Sequence, residues 1–216
     1  MLPLNAAKCV VMHITRSCRP IPVRYHMGDI PLETVSTHKH LGVVLSSNLE
    51  WGPHVDSITS KTQRLLGFIQ RTVGSNDPDT MKKLFFALVR PILEYCAPVW
   101  APNREGHKNK LEGVQRRFTR YCFPGPWQSR PSYSTRLQTL EIPTILSRFD
   151  YLRIMFAVGC LWNKYNISWA DYIKLNTLSS RRGVNIDFRH FHRSRTDAFH
   201  NSLFVAFPRL WSTLPK

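Results

Sequence analysis

The chain has 216 residues, 43% hydrophobic and 12% aromatic, with 30 Lys and Arg against 14 Asp and Glu: a formal charge of +16 and a pI near 10.2. That apolar content argues against a disordered tail and suffices for one substantial core or two small units. A compact chain this basic repels itself unless an anionic partner offsets the charge, which leaves nucleic acid, an anionic membrane or an acidic protein.

The first stretch reads as strands. Val10-Val11-Met12-His13-Ile14 is a β-favouring run, and Arg24-Tyr25-His26-Met27 meets Gly28-Asp29, a tight hairpin turn in which glycine supplies positive φ. Leu41 to Leu45 is a further apolar strand, so a small antiparallel sheet is expected. After Trp51-Gly52-Pro53 the period changes. Val55, Ile58, Leu65, Leu66, Ile69 and Val73 recur at helical spacing, with Pro53 in the first turn and Gly74 as the stop. Asp77-Pro78 is a cap followed by a proline start, and Met81, Leu84, Phe85 and Leu88 follow at i, i+3, i+4 and i+7. Pro91 is expected to kink or stop that helix before Ile92.

A third helix is expected from about His107 to Cys122, its apolar stripe formed by Leu111, Val114, Phe118 and Tyr121. Phe123 to Pro131, with three prolines and a glycine, reads as a linker. A fourth helix is expected near Thr144 to Trp162, with Ile145, Phe149, Leu152, Phe156 and Cys160 on one face. Beyond Lys164 the periodicity fades, and Arg181 to Arg195 reads as a basic, His-rich loop or irregular arm. The fold class is therefore α+β: a small β-hairpin unit over 1–50, a helical region over 51–125, and a helical and basic region over 126–216.

The five cysteines are scattered with no C-x-x-C pair, so neither a disulfide framework nor a structural zinc site is supported, and reduced thiols are expected. His190, His192 and His200 lack a cysteine or carboxylate at ligand spacing, and no metal site is expected. No secretory leader is read from the first residues, and the run from Ile154 to Trp162 is too short to span a bilayer. With no lipidation motif either, nucleic acid is preferred over membrane as partner, in a soluble intracellular chain, nuclear or cytoplasmic and not secreted.

Several phrases, in order, carry a resemblance. They are Asn5-Ala6-Ala7-Lys8-Cys9; Lys39-His40-Leu41-Gly42-Val43; Leu49-Glu50-Trp51 with His54; Leu88-Val89-Arg90-Pro91-Ile92-Leu93-Glu94-Tyr95 with Pro98-Val99-Trp100; Leu111 through Arg120; Tyr133 with Arg136-Leu137; and Trp211 with Leu214-Pro215. Together they resemble the C-terminal half of reverse transcriptases from non-LTR retrotransposons of the jockey-like LINE type. The resemblance implies the end of a polymerase palm with its primer-grip hairpin (His40 standing where the family has Tyr), then a helical thumb and a C-terminal region. It implies an RNA-directed DNA polymerase as parent, with Mg²⁺ held by carboxylates in a segment preceding this one. No Asp-Asp pair occurs in the 216 residues, so this chain is expected to grip template-primer without copying it, and to hold no cofactor itself. A remnant of a truncated element and a stand-alone basic nucleic-acid-binding module remain open as alternatives.

Lys8 is the candidate for an accessory chemical role in the parent enzyme, beside the departing pyrophosphate; otherwise it is a surface lysine. Lys39, Leu41 and Gly42 are the primer-grip candidates, glycine in a strand allowing close backbone approach or merely shaping a bulge. Lys110, Arg116, Arg117 and Arg120 form a basic helix face, broken only by Glu112, that suits phosphates; a solvated face normally alternates sign. Arg181, Arg182, Arg189, Arg193 and Arg195 interleave with Phe188, His190, Phe191 and His192 as in a grip on single strands, or form a tail. Trp100, Tyr95 and Phe118 are expected in the core.

Overall fold

The computed structural model describes residues 5, 8–15, 17, 23–74, 77–126, 128–167, 173–180, 183–190 and 196–214. They divide into two compact units, Met1–Ser57 and Ile58–Lys216. Together the elements make an α+β protein, helix-rich with small two-stranded sheets.

The first unit is built from short pairs. Strands β2 (His26–Met27) and β3 (Ile30–Pro31) form an antiparallel hairpin about Gly28, at φ 61, as the Gly-Asp turn predicts. Strands β1 (Val10–Val11) and β4 (Glu33–Thr34) pair in parallel rather than antiparallel. A parallel pair needs a crossover, and residues 12–32, containing the β2–β3 hairpin, supply it. Strands β5 (Thr37–His40) and β6 (Val43–Ser46) are antiparallel, with His40 opposite Val43. The expected strand at Leu41 thus starts two residues later, because Leu41 (φ 45) and Gly42 (φ 86) both take left-handed backbone and close the turn. Two successive positive φ values match the twist of the flanking strands in a two-residue hairpin. Helix α1 (Gly52–Val73) starts in this unit, where buried His54 accepts the Val44 amide at Nδ1 (3.2 Å) and ties β6 to the first helical turn. Burial lowers the His54 pKa to about 4.

In the second unit, helix α2 (Pro78–Leu84) begins as the sequence implies. The Asp77 carboxylate accepts the Thr80 amide at 2.8 Å, and these Thr80 bonds lower its pKa. The helical path then continues through Pro91 instead of stopping. Phe85–Val89 widens into a π turn in which the Arg90 amide reaches Phe85 O, and α3 (Arg90–Glu94) follows with Pro91 in its first turn. The wider turn absorbs the amide that proline lacks. Cys96 at φ 54 reverses the chain into α4 (Ala97–Trp100), and Trp100 Nε1 donates to Tyr95 O at 2.7 Å.

Helices α5 (Glu105–Cys122), α6 (Tyr133–Leu140) and α7 (Ile145–Leu161) complete the core. Phe85 stacks on Phe118 at 4.2 Å, and Trp100 meets Phe149 edge-on at 5.2 Å, all four buried. Trp100 and Phe118 are core as expected, but Tyr95 is 52% exposed. It follows the last residue of α3, where the backbone leaves the helix, and contributes its carbonyl to the core instead of its ring.

The C-terminal region is more regular than expected. Strands β7 (Ile173–Ser180) and β8 (Gly183–His190) pair antiparallel, so 183–190 of the irregular arm expected over 181–195 is strand, the rest of that arm lying outside the described residues. Val184, Ile186 and Phe188 alternate with polar residues there, a period-2 signal masked by the basic composition. Two further helices, α8 (Asp197–His200) and α9 (Leu203–Ser212), follow. Phe207 of α9 packs with Ala157 and Cys160 of α7 in a second apolar cluster that Trp211 flanks.

Candidate nucleic-acid interface

Helix α5 presents two chemically distinct faces. Leu111, Val114 and Phe118 are buried, and so are Glu112, Gln115 and Thr119. Glu112 therefore does not interrupt the basic face; it belongs to the interior. Its carboxylate accepts the Tyr133 hydroxyl and the Ile145 amide (3.0 Å), the first residue of α7. Beside it, Gln115 Nε2 donates to Pro143 O at 2.9 Å. A carboxylate at a helix N-terminus satisfies an amide the helix cannot and complements its dipole, so one α5 side chain fixes where α6 and α7 begin. Burial, then the Glu112 bond, raises the Tyr133 pKa. A second tie is Glu94, which accepts Arg90 Nε (2.6 Å) and both Arg148 Nε (3.1 Å) and Nη2 (3.2 Å), joining α3 to α7.

The exposed face carries Lys110, Arg116 and Arg120. Arg117 is different. It is half-buried, donating from Nε to Tyr121 Oη at 2.6 Å and from Nη1 to Gln63 Oε1 at 2.5 Å. It is thereby a strut between α1 and α5. Arg116 and Arg120, one helical turn apart, stand with two arginines that sequence spacing did not bring together. The Arg116 guanidinium carbon lies 5.1 Å from the centre of the Tyr133 ring, and that of Arg136 lies 5.7 Å from the same ring. Arg136 is 6% exposed, and its pKa is lowered by burial and then by the positive charges of Arg120 and Arg130. Arg130 closes the turn after α5, donating from Nε to Phe123 O (3.0 Å) and from Nη2 to Gly125 O (2.6 Å). The expected linker over Phe123–Pro131 is thus pinned by an arginine, and α6 follows it directly. A long-range cluster of this kind leaves no periodic trace in the sequence.

In the first unit, Lys39 is exposed on β5, and Leu41 and Gly42 occupy the turn rather than a strand, with Leu41 77% exposed. A leucine held at positive φ with its side chain in solvent costs about 1–3 kcal/mol of backbone strain, a pattern concentrated at functional positions. Lys8 is exposed in a turn whose amide reaches Asn5 O at 3.0 Å. Arg189 lies on β8, whereas Arg181, Arg182, Arg193 and Arg195, with Phe191 and His192, lie outside the described residues. No helix among the described residues is long and apolar enough to cross a membrane.

The chain is 25% identical over 130 residues to the RNA-directed DNA polymerase from mobile element jockey of Drosophila funebris. This likeness supports a relationship to reverse transcriptases. It covers 59% of the chain and 14% of the polymerase, so the chain matches only a small part of that protein. No family model and no solved structure matches the chain.

Proposed function

We propose that this chain is the C-terminal part of the reverse transcriptase of a jockey-like mobile element and that it holds template-primer nucleic acid for copying by the rest of the enzyme. The observation that carries this reading is the exposed face of α5. Lys110, Arg116 and Arg120 project from it, while the acidic residue between them, Glu112, is withdrawn into the core. A one-signed row on a rigid helix neutralises successive phosphates and fixes register without reading sequence. The β5–β6 turn adds a second contact: Lys39 with the strained, exposed Leu41-Gly42 tip suits a primer's sugar-phosphate chain.

Catalysis in this reading belongs to the segment of the parent enzyme that carries the metal-binding carboxylates. Two-metal phosphoryl transfer needs such groups on both sides of the reacting phosphate, and three acids of the helical unit have structural duties instead: Glu112 and Glu94 in helix ties, Asp77 in a cap. Lys8 would assist only within the complete enzyme, near the leaving pyrophosphate.

The test is the double variant Arg116→Ala/Arg120→Ala against a labelled RNA–DNA hybrid. Affinity should fall at least tenfold at low salt, equally for hybrids of unrelated sequence. Affinity within error of the parent chain would show that α5 is merely solvated. Arg117→Ala is unsuitable for this purpose, because removing that strut perturbs α1 and α5 themselves.

A further inference from the structure

We infer that Arg116, Arg120, Arg130 and Arg136 form a discrete site for one phosphate group, taken from a backbone phosphodiester of the bound nucleic acid. This assignment rests on the nucleic-acid reading for the source of the phosphate, but the site itself rests on three features of the second unit.

The first is convergence. Arg116 and Arg120 come from one face of α5, Arg130 from the turn after it, and Arg136 from α6. Tyr133 lies beside two of them, with the Arg116 and Arg136 guanidinium carbons 5.1 and 5.7 Å from its ring centre. The second is an unmet donor. Arg136 is 6% exposed, and among the described residues its Nε has no hydrogen-bond partner. A buried guanidinium normally finds an acceptor, and its planar fork matches phosphate oxygens. The third is uncompensated charge. Arg120 and Arg130 both weigh against the charge of Arg136 and Tyr133 acts in its favour, while the Glu112 carboxylate is turned to the Tyr133 hydroxyl and the α7 amide. Like charges gathered around a buried donor are unfavourable until an anion enters, and a phosphate offers both the charge and several acceptor oxygens.

The site differs from the solvated row in kind. Lys110 neutralises a phosphate wherever one falls, whereas the buried Arg136 donor, with Arg116 and Arg120 beside it, accepts one phosphate in a fixed position. It would thus set the register of the backbone along α5.

The experiment is side-chain NMR of the full chain with labelled arginine Nε–H groups, titrated first with inorganic phosphate and then with a short RNA–DNA hybrid. The Arg136 signal should move saturably with phosphate, the dissociation constant should rise at least tenfold in Arg120→Ala, and the hybrid should move the same signal and displace phosphate. A hybrid that binds while Arg136 stays unmoved by either probe overturns the site and leaves the nucleic-acid reading standing. Phosphate binding at Arg136 with no hybrid binding keeps the site as one for free phosphate and removes the nucleic-acid reading. Shifts that grow linearly without saturation mean diffuse screening, and overturn the site.

Discussion

Glu112→Ala is the substitution with the largest calculable consequence. The carboxylate is 5% exposed and accepts the Tyr133 hydroxyl and the amide of Ile145, a residue that is itself fully buried. Its removal strands the buried Ile145 amide at about 1–3 kcal/mol and the half-buried Tyr133 hydroxyl at about 1 kcal/mol, and takes a negative charge from the α7 N-terminus at roughly 0.5–1 kcal/mol. The expected destabilisation of the helical unit is about 3–5 kcal/mol. With a urea slope of about 2 kcal/mol per M, the midpoint followed by far-UV circular dichroism falls by roughly 1.5–2.5 M at pH 7. Tyr133→Phe alone should cost about 1 kcal/mol, and the double variant less than the sum, because the phenylalanine leaves no hydroxyl to strand. A loss below about 1 kcal/mol in Glu112→Ala, or strict additivity with Tyr133→Phe, would refute the idea that this carboxylate organises α6 and α7.

Other expectations concern separate parts of the chain. His54 binds its proton at about pH 4 when folded, against the ordinary histidine value of 6.5 in the unfolded chain, so between those values the unfolded state holds more protons. Stability of the first unit is therefore full above about pH 6.5 and falls by up to roughly 3 kcal/mol as pH drops to 4, with no further loss from this group below that. Exchange protection of the Val44 amide should decline over the same window, and an NMR titration of His54 near 6.5 in the folded chain would contradict this. Gly159→Ala places a Cβ 2.7 Å from the Tyr165 ring, which stacks on Phe156 at 5.0 Å. The ring should swing away, and because alanine favours the helix by about 1 kcal/mol, net stability stays nearly unchanged while the ring-current shifts of Phe156 vanish. Intact shifts would show that the helix yields instead. The purified chain should extend no primer with Mg²⁺ or Mn²⁺; extension above a heat-killed control would overturn the assignment of catalysis to a separate segment.

Local signals in the sequence translated well. The Asp77-Pro78 start, the Gly28-Asp29 turn and the apolar stripes of α1 and α5 all stand where residue chemistry puts them. Reading failed where polar residues go inside or a breaker is absorbed. Glu112, Gln115 and Thr119 look like surface by type, yet they form a buried polar seam whose partners lie 21 to 33 positions away for Glu112. Pro91 was expected to kink or stop its helix, yet it follows a π turn and the helical path continues through it. The α5 basic face was legible as a run of charge. Its division into a strut, Arg117, and an open pair, Arg116 and Arg120, depends on Gln63, Tyr121 and Arg136, which only the fold brings near.

The salt dependence of hybrid binding tests the central claim most directly. Between 50 and 250 mM salt, a grip through Lys110, Arg116, Arg120 and Arg136 should give a slope of log affinity against log salt of about −3 to −4, and Arg116→Ala/Arg120→Ala should reduce its magnitude by about 2. Binding that ignores salt, or no binding at the lowest salt, would contradict the claim that this chain holds nucleic acid by its backbone.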